Sequence, residues 1–219
     1  MAFWRNEQTY TQIEHSVFDK IERTKALVMT SAARNPITTG AREKYRIHAG
    51  TPIGPIGNGF VSPIIRSRIV ATAPSGSTSV YVDDVTGFKA GDVLLYFSTL
   101  TGTAAFATVS TVTDASNLIT LTDAITASAG DYIEVAANGA HGNTTAANPT
   151  QTPDVFILLE DVDVLAPDGA TLIPVPCVGV DAGVIRVGNL TGQCCATFDN
   201  INLRAQLPDI RFDNTTVGR

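Results

Sequence analysis

The clearest pattern in this sequence is the alternation of apolar and polar residues that begins after residue 68. Short runs rich in Val, Ile, Thr, Tyr and Phe recur about every 8 to 12 residues, and Gly, Asp, Asn and Ser separate them. A period of two is typical of half-buried strands. The pattern therefore predicts an all-β domain over residues 69–138, with strands in SVYVDDV, DVLLYFS, AAFATVSTV, NLITLTD and DYIEVA.

Two segments of this region share one turn sequence. GFKAGDVLL (residues 87–95) and ASAGDYIEV (residues 127–135) each place Ala-Gly-Asp directly before an apolar strand. Glycine adopts a positive φ without strain, and an aspartate can hydrogen-bond the nearby backbone. We expect both segments to be turns that start a strand, with no need of a ligand.

A different period precedes the β-region. Apolar residues recur at helical spacing near the N-terminus, which predicts an amphipathic helix from Thr9 to about Ala33. The helix should end before Asn35-Pro36, because the residue that precedes a proline avoids the α region. The residues of the predicted apolar stripe are Tyr10, Ile13, Val17, Ile21 and Val28, widened by Phe18 and Leu27.

Residues 35–63 form a Pro- and Gly-rich segment with isolated apolar side chains. A segment of this composition cannot build a core of its own, but a free linker would rarely be so apolar. Two alternatives remain open: an arm packed on its own domain, or an extended arm laid across another subunit. The candidate interface anchors of this arm are Ile37, Tyr45, Ile47, Ile53, Ile56 and Phe60.

The C-terminal part is also predicted to be β-rich. A polar stretch, residues 139–153, reads as a loop or linker, and residues 154–219 as a second β-domain with a hairpin around Asp181-Ala182-Gly183. The segment NINLRAQL fits a short helix or a strand. The expected fold is therefore mainly β: an N-terminal helix and extended arm (residues 1–68), then small β-barrel or β-sandwich-like domains.

Composition narrows the class of protein. The 219 residues are 44% apolar, enough for a core, and no basic leader with an apolar run or 18-residue apolar stretch indicates export or a membrane partner. The net charge of −6 divides unevenly: residues 1–68 carry ten basic and five acidic residues, and the rest five and sixteen. Nucleic acid is not an expected partner, because the β-region is strongly acidic.

The acids of VFILLEDVDV are the first place to look for chemistry. Counting from Asp161, the fifth and sixth positions of a calcium loop would be Leu165 and Ala166, so an EF-hand is excluded. Glu160 and Asp163 could flank a cleft as an acid/base pair, as glycoside hydrolysis requires. A solvated strand end that discourages edge pairing is the simpler interpretation.

The cysteines and histidines give no stronger candidate. Cys177, Cys194 and Cys195 have no metal-ligand spacing and are expected to be buried thiols, although Cys195 as a nucleophile is an open alternative. His15, His48 and His141 show no zinc-binding spacing. The sequence therefore predicts a protein that is not an enzyme, with no catalytic residues, cofactor or metal.

One resemblance adds to this interpretation. The run Ile157-Leu158-Leu159-Glu160-Asp161-Val162-Asp163, followed by a Val-rich strand with Gly179 and by Gly183-Val184-Ile185-Arg186, is similar to the head decoration (capsid cement) proteins of tailed bacteriophages of the lambda type. It covers residues 154–219. The stretch TSVYVDDVTGFKAGDVLL (residues 78–95) also looks like small β-domains of phage virion proteins. The chain departs from this family by its N-terminal segment and its inserted β-domain.

The resemblance implies a structural virion protein made in the host cytoplasm and located on the capsid surface. Its partner would be the major capsid protein, and N-terminal segments of the family pair with strands of the capsid lattice, which is β-augmentation. A homo-oligomer, trimer or dimer, is expected, because several sites engaged together add avidity. The alternative is another virion part, such as a tail or baseplate adaptor or a glycan-binding fibre module.

Overall fold

The fold was analysed in a computed structural model, which describes residues 17–35, 45–57, 59–97, 105–135, 155–186 and 204–213. The prediction of a mainly β protein is confirmed. The strands in these residues are β1 (Phe18–Met29), β2 (Arg46–Ile47), β3 (Pro52–Gly57), β4 (Phe60–Pro63), β5 (Arg66–Arg68), β6 (Ala73–Tyr81), β7 (Val93–Phe97), β8 (Ala105–Thr113), β9 (Leu118–Ala127), β10 (Tyr132–Val135), β11 (Phe156–Leu158), β12 (Val162–Asp163), β13 (Val175–Arg186) and β14 (Ile210–Asp213).

Strands β5 to β10 form a closed barrel, here called the middle barrel. Their order in the sheet is β5-β10-β7-β8-β9-β6. The sheet closes on itself because Ile69 bridges Val82 and the Val70 amide donates to the Tyr81 carbonyl. Residues of β6 to β10, together with Ile65 and Ile69 on either side of β5, fill one core, which includes Val80, Leu94, Val109, Ile119 and Ile133. The sequence-predicted strands of this region are thus correctly placed.

The two Ala-Gly-Asp segments form the same turn, as expected. Gly91 and Gly130 have positive φ angles of 87° and 100°. In each turn the aspartate closes back on the residue three positions earlier: Asp92 Oδ2 accepts from the Lys89 amide at 2.8 Å, and Asp131 Oδ2 from the Ser128 amide at 2.7 Å. A strand, β7 or β10, begins directly after each aspartate.

The second unit is built from both ends of the chain and is here called the composite barrel. Strand β1 pairs with β4 and β13, β4 with β3, β3 with β11, and β11 with β13, so five strands close a ring to which β14 is added. Inside it, Phe156 lies against Gly179, where an added Cβ would come within 2.7 Å of the Phe156 Cβ. Strand β11 is buried on both faces, which explains its continuous apolar run.

The predicted N-terminal helix is wrong wherever the structure describes it. Residues Phe18–Met29 form strand β1, and the predicted residues 9–16 lie outside the described part. Positions 19–26 of β1 are exposed on both faces. The helical spacing of Ile21 and Val28 therefore does not mark a buried face, because the buried residues lie at the two ends of the strand rather than along one stripe.

The expected division into domains does not match the sheet pairing. Strands β3 and β4, from the predicted arm, share a sheet with β11 and β13, from the predicted C-terminal domain. The hairpin expected around Asp181-Ala182-Gly183 is wrong, because these residues lie within the continuous strand β13. Of NINLRAQL, residues 204–206 form a 3-10 turn, and residues 200–203 lie outside the described part.

Among the described residues, an ion pair (Arg34 with Asp92) and a hydrogen bond (Arg66 with Gln206) join the barrels, and the direct connection between β4 and β5 is only Ile64-Ile65. Arg66 of β5 contacts Glu134 of β10 at 2.7 Å, with side chains 0% and 1% exposed, and donates to Gln206 Oε1 at 3.0 Å. Arg34, in the segment after β1, donates to both oxygens of Asp92 and to the Gly87 carbonyl. Asp92 thus makes a contact between the barrels that Asp131 does not make.

We expect Asp92→Ala to destabilise the protein more than the matched change Asp131→Ala. Both substitutions remove the same turn hydrogen bond, worth about 1 kcal/mol. Asp92→Ala also leaves the largely buried Arg34 guanidinium without its carboxylate, which should add about 1–3 kcal/mol. Equal losses in urea unfolding would show that the Arg34 contact contributes nothing to stability.

We expect Glu134→Gln to lower the free energy of unfolding by about 3–5 kcal/mol, because the buried Arg66 charge would lose its counter-charge. Glu22→Gln is the control: Glu22 pairs with Lys20 on the surface, and its loss should leave urea unfolding unchanged. The apolar double variant Arg66→Met/Glu134→Leu should be more stable than Glu134→Gln. A neutral effect of Glu134→Gln would contradict this account.

Candidate functional site

The acids that follow β11 have structural partners. Asp161 accepts from the Ala49 amide at 2.9 Å and from Arg46 Nη2 at 2.8 Å, with His48 Nδ1 at 3.4 Å. Partial burial raises the pKa of Asp161, but the hydrogen bonds from Ala49, Arg46 and His48 outweigh it and hold the pKa below its ordinary value. Asp161, which directly precedes β12, thereby adds side-chain contacts to the pairing of β12 with β2.

The other acids of this region shape turns. Asp163 accepts from the Leu165 amide at 2.9 Å, while Glu160 is exposed. In the Pro-Asp-Gly turn, Asp168 accepts from the Thr171 hydroxyl and from two amides, and these hydrogen bonds lower its pKa to about 2. This arrangement favours the structural interpretation of these acids over an acid/base pair.

The cysteine and histidine candidates are only partly covered by the structure. Cys177 is buried, and burial raises the pKa of its thiol to about 11, which disfavours the reactive thiolate. Cys194, Cys195, His15 and His141 lie outside the described residues. Within the described ranges, no group of three His, Cys, Asp or Glu side chains is placed to hold a metal ion, and no helix is long and apolar enough to cross a membrane.

The six predicted interface anchors separate into three groups. Ile47 and Ile53 are fully buried inside the composite barrel, so their proposed contact with another subunit is wrong: their apolar surface is already covered by this chain. Tyr45 packs on the same core, and Ile56 and Phe60 are half-buried. Ile37 lies outside the described residues.

The structure instead places an open strand edge earlier in the chain. Strand β1 pairs with β13 along its whole length, from Phe18 to Met29. On its other side β1 meets β4 only at Val28 and Met29. Among the described residues, positions 20–27 have no strand neighbour on that side, and we call this stretch the open edge. Its unpaired backbone groups can accept a strand from another chain.

The two halves of the open edge differ. Between Phe18 and Thr24 the pairing with β13 shifts register three times, and bulges of this kind disfavour a regular neighbouring strand. From Thr24 to Leu27 the pairing is regular. Arg23 is held by Asp181 at 2.7 Å and by Asp209 at 2.8 Å. A docking strand would thus be confined to residues 24–27, next to Phe60, which lies opposite Val28.

Comparison with known proteins does not assign this chain to a family. No protein-family model matches the chain, and no curated protein shows significant similarity to it. We therefore infer the function from the geometry of this chain.

Sequence reasoning missed the open edge because it took residues 9–33 as a helix. One signal could have indicated a strand: residues 19–25, DKIERTK, carry five charges and a single large apolar residue, Ile21. Such composition on a strand is typical of an exposed edge. The predicted mode of binding, β-augmentation, stays a prediction, but its place in the chain moves from residues 35–63 to β1.

We expect Asp161→Asn to lower stability near neutral pH and to have less effect in acid. The folded-state pKa of Asp161 lies below the ordinary value of 3.8, so its ionised form stabilises the fold above that pH, and this contribution is lost as the pH falls through the folded-state pKa. Urea unfolding of both proteins between about pH 7 and pH 3 measures the difference. A difference that grows in acid would contradict the assignment. The effect should be modest, because the side chain is 38% exposed.

Proposed function

We propose that this chain is a structural virion protein that binds the outer surface of a phage capsid and cements neighbouring subunits of the major capsid protein. The observation that carries the proposal is the open edge of β1 on a body of two barrels. A sheet edge without a neighbour is normally covered or kept short, because it invites other chains. The resemblance of residues 154–219 to capsid decoration proteins supports the major capsid protein as the proposed partner.

Docking at this edge works through the backbone. A strand of the capsid lattice lying beside Thr24–Leu27 would form main-chain hydrogen bonds over about 13 Å, at roughly 3.3 Å per residue. The half-buried Phe60 lies at the end of this stretch and can contact the incoming side chains. Phe60 and Ile56 remain the predicted anchors among the described residues, in this new setting.

So short an edge gives only modest affinity for one copy. A homo-oligomer, dimer or trimer, that engages several edges on a symmetric shell gains avidity without new contacts. A stable interface buries roughly 1,600 Å², so surfaces beside the edge must contribute as well. In this proposal the protein lies on the capsid surface. Each bound copy there raises the free energy needed to separate neighbouring subunits, which the pressure of packaged DNA pushes apart.

The connection between the barrels suits this mechanical task. A load applied at β1 passes through β13 and the C-terminal segment to the middle barrel, where the buried Arg66, held by Glu134, donates to Gln206. Arg34 and Asp92 add a second connection beside it. A flexible linker would let the barrels move independently and would transmit little force.

We expect the protein to co-sediment with mature capsids of the phage that encodes it, and Ala26→Lys to weaken this binding at least about tenfold. Ala26 is exposed in the regular part of the open edge, and an edge lysine discourages strand addition. Val70→Lys is the matched control: Val70 is 49% exposed on the middle barrel, and its change should leave binding unaltered. Thermal melting should be the same for all three proteins.

Two results would overturn the proposal. One is the absence of co-sedimentation with shells both before and after maturation. The other is labelled protein found on the tail of intact particles and not on the head, which would favour the tail or baseplate alternative.

A further inference from the structure

A cleft of about 770 Å³ lies between the two barrels and is separate from the open edge. One side is formed by the segment after β1 and by Tyr45 and Leu172, and the other by the loops that contain Asp84–Lys89 and Asp114–Asn117 of the middle barrel. Binding sites occur preferentially at such junctions, in cavities of about 300–1,000 Å³. The cleft therefore falls within the size range, and at the kind of junction, where ligand sites occur.

The walls of the cleft are held in place by the Arg34–Asp92 ion pair. Arg34 lines the cleft, while its guanidinium is bound bidentately by Asp92 and donates to the Gly87 carbonyl. The ion pair thus fixes the strap after β1 against the loop of the middle barrel. A cavity held in shape before binding loses less entropy when a ligand enters.

The polar groups that remain for a ligand include both hydrogen-bond acceptors and donors. One donor is Arg34 Nε, which is buried and has no hydrogen-bond partner among the described residues. Asp84 uses Oδ1 for the Thr86 amide, and Asn117 uses Nδ2 for the Asp83 carbonyl. Within the described residues this leaves Asp84 Oδ2, Asn117 Oδ1 and the carboxylate of Asp114 without a protein donor, beside a single ammonium group, that of Lys89. Such a set suits a ligand rich in hydroxyl groups.

The charge and the apolar surface of the cleft narrow the class of ligand further. Arg34 is neutralised by Asp92, so the two lining carboxylates outnumber the free cation and disfavour phosphate, sulfate or nucleic acid. Tyr45, Phe88 and Leu172 supply apolar surface for C–H groups. A neutral sugar meets both requirements, because it presents hydroxyl donors at its rim and C–H groups on its faces. We infer that the cleft between the barrels binds a neutral oligosaccharide.

The test is saturation-transfer NMR on the full chain with maltotriose, cellotriose and chitotriose as probes. We expect at least one of them to bind weakly, and Asp114→Ala to reduce its affinity about tenfold or more, since a hydrogen bond to a charged group is lost. Asp114 is exposed on a 3-10 turn, so the fold should tolerate the change. Asp83→Ala is the matched control, because Asp83 is equally exposed and its side chain does not line the cleft.

A second variant tests the cleft without altering its charge. Ala32 lines the cleft and is exposed, so Ala32→Trp should fill the space and abolish sugar binding while leaving the melting temperature unchanged. Binding that survives both Ala32→Trp and Asp114→Ala would place the sugar elsewhere and overturn the inference. Failure of all three neutral sugars to bind would also overturn it, as would binding of only sialyllactose, spermidine or Ca²⁺. These measurements use no capsid, so they succeed or fail independently of the proposed function.

Discussion

The arrangement of this molecule depends on the buried Arg66 side chain, which pairs with Glu134 inside the middle barrel and donates to Gln206 in the segment before β14. Removing both charges from water carries a free-energy cost that can exceed the gain from their attraction. A buried ion pair is therefore weak evidence for high stability. Its effect is on geometry, because neither side chain can move without leaving the other charge buried and unpaired. Gln206, from the C-terminal segment, completes the contact and ties the last described strand of the composite barrel to the middle barrel.

The connection between β4 of the composite barrel and β5 of the middle barrel is only two residues long. Ile64 belongs to the apolar cluster outside β11, and Ile65, the next residue, belongs to the core of the middle barrel. A two-residue connection whose side chains enter different cores leaves little freedom for the barrels to rotate. The cleft between them is therefore a fixed feature of the fold.

The sequence predicted the middle barrel well and the composite barrel poorly, for physical reasons. Every strand of the middle barrel pairs within residues 66–135, and its Ala-Gly-Asp turns carry their geometry in local residues. The composite barrel joins residues 18–63 to residues 156–213, so neither half shows a complete pattern by itself. Ile47 and Ile53 looked like anchors for a foreign surface because the surface they fill lies more than 100 residues later in the same chain.

The open edge follows from a mismatch of strand lengths. Strand β1 has twelve residues and β13 also has twelve, but β4, the other neighbour of β1, has four. The ring closes with Val28 and Met29 alone, and the side chains at positions 19–26 are exposed. The buried residues of β1 are Phe18 and Met29 at its two ends, so the exposed positions 19–26 lengthen the strand without adding buried apolar surface. Among the described residues this edge has no neighbouring strand from Lys20 to Leu27, which is the condition that strand addition by another chain requires.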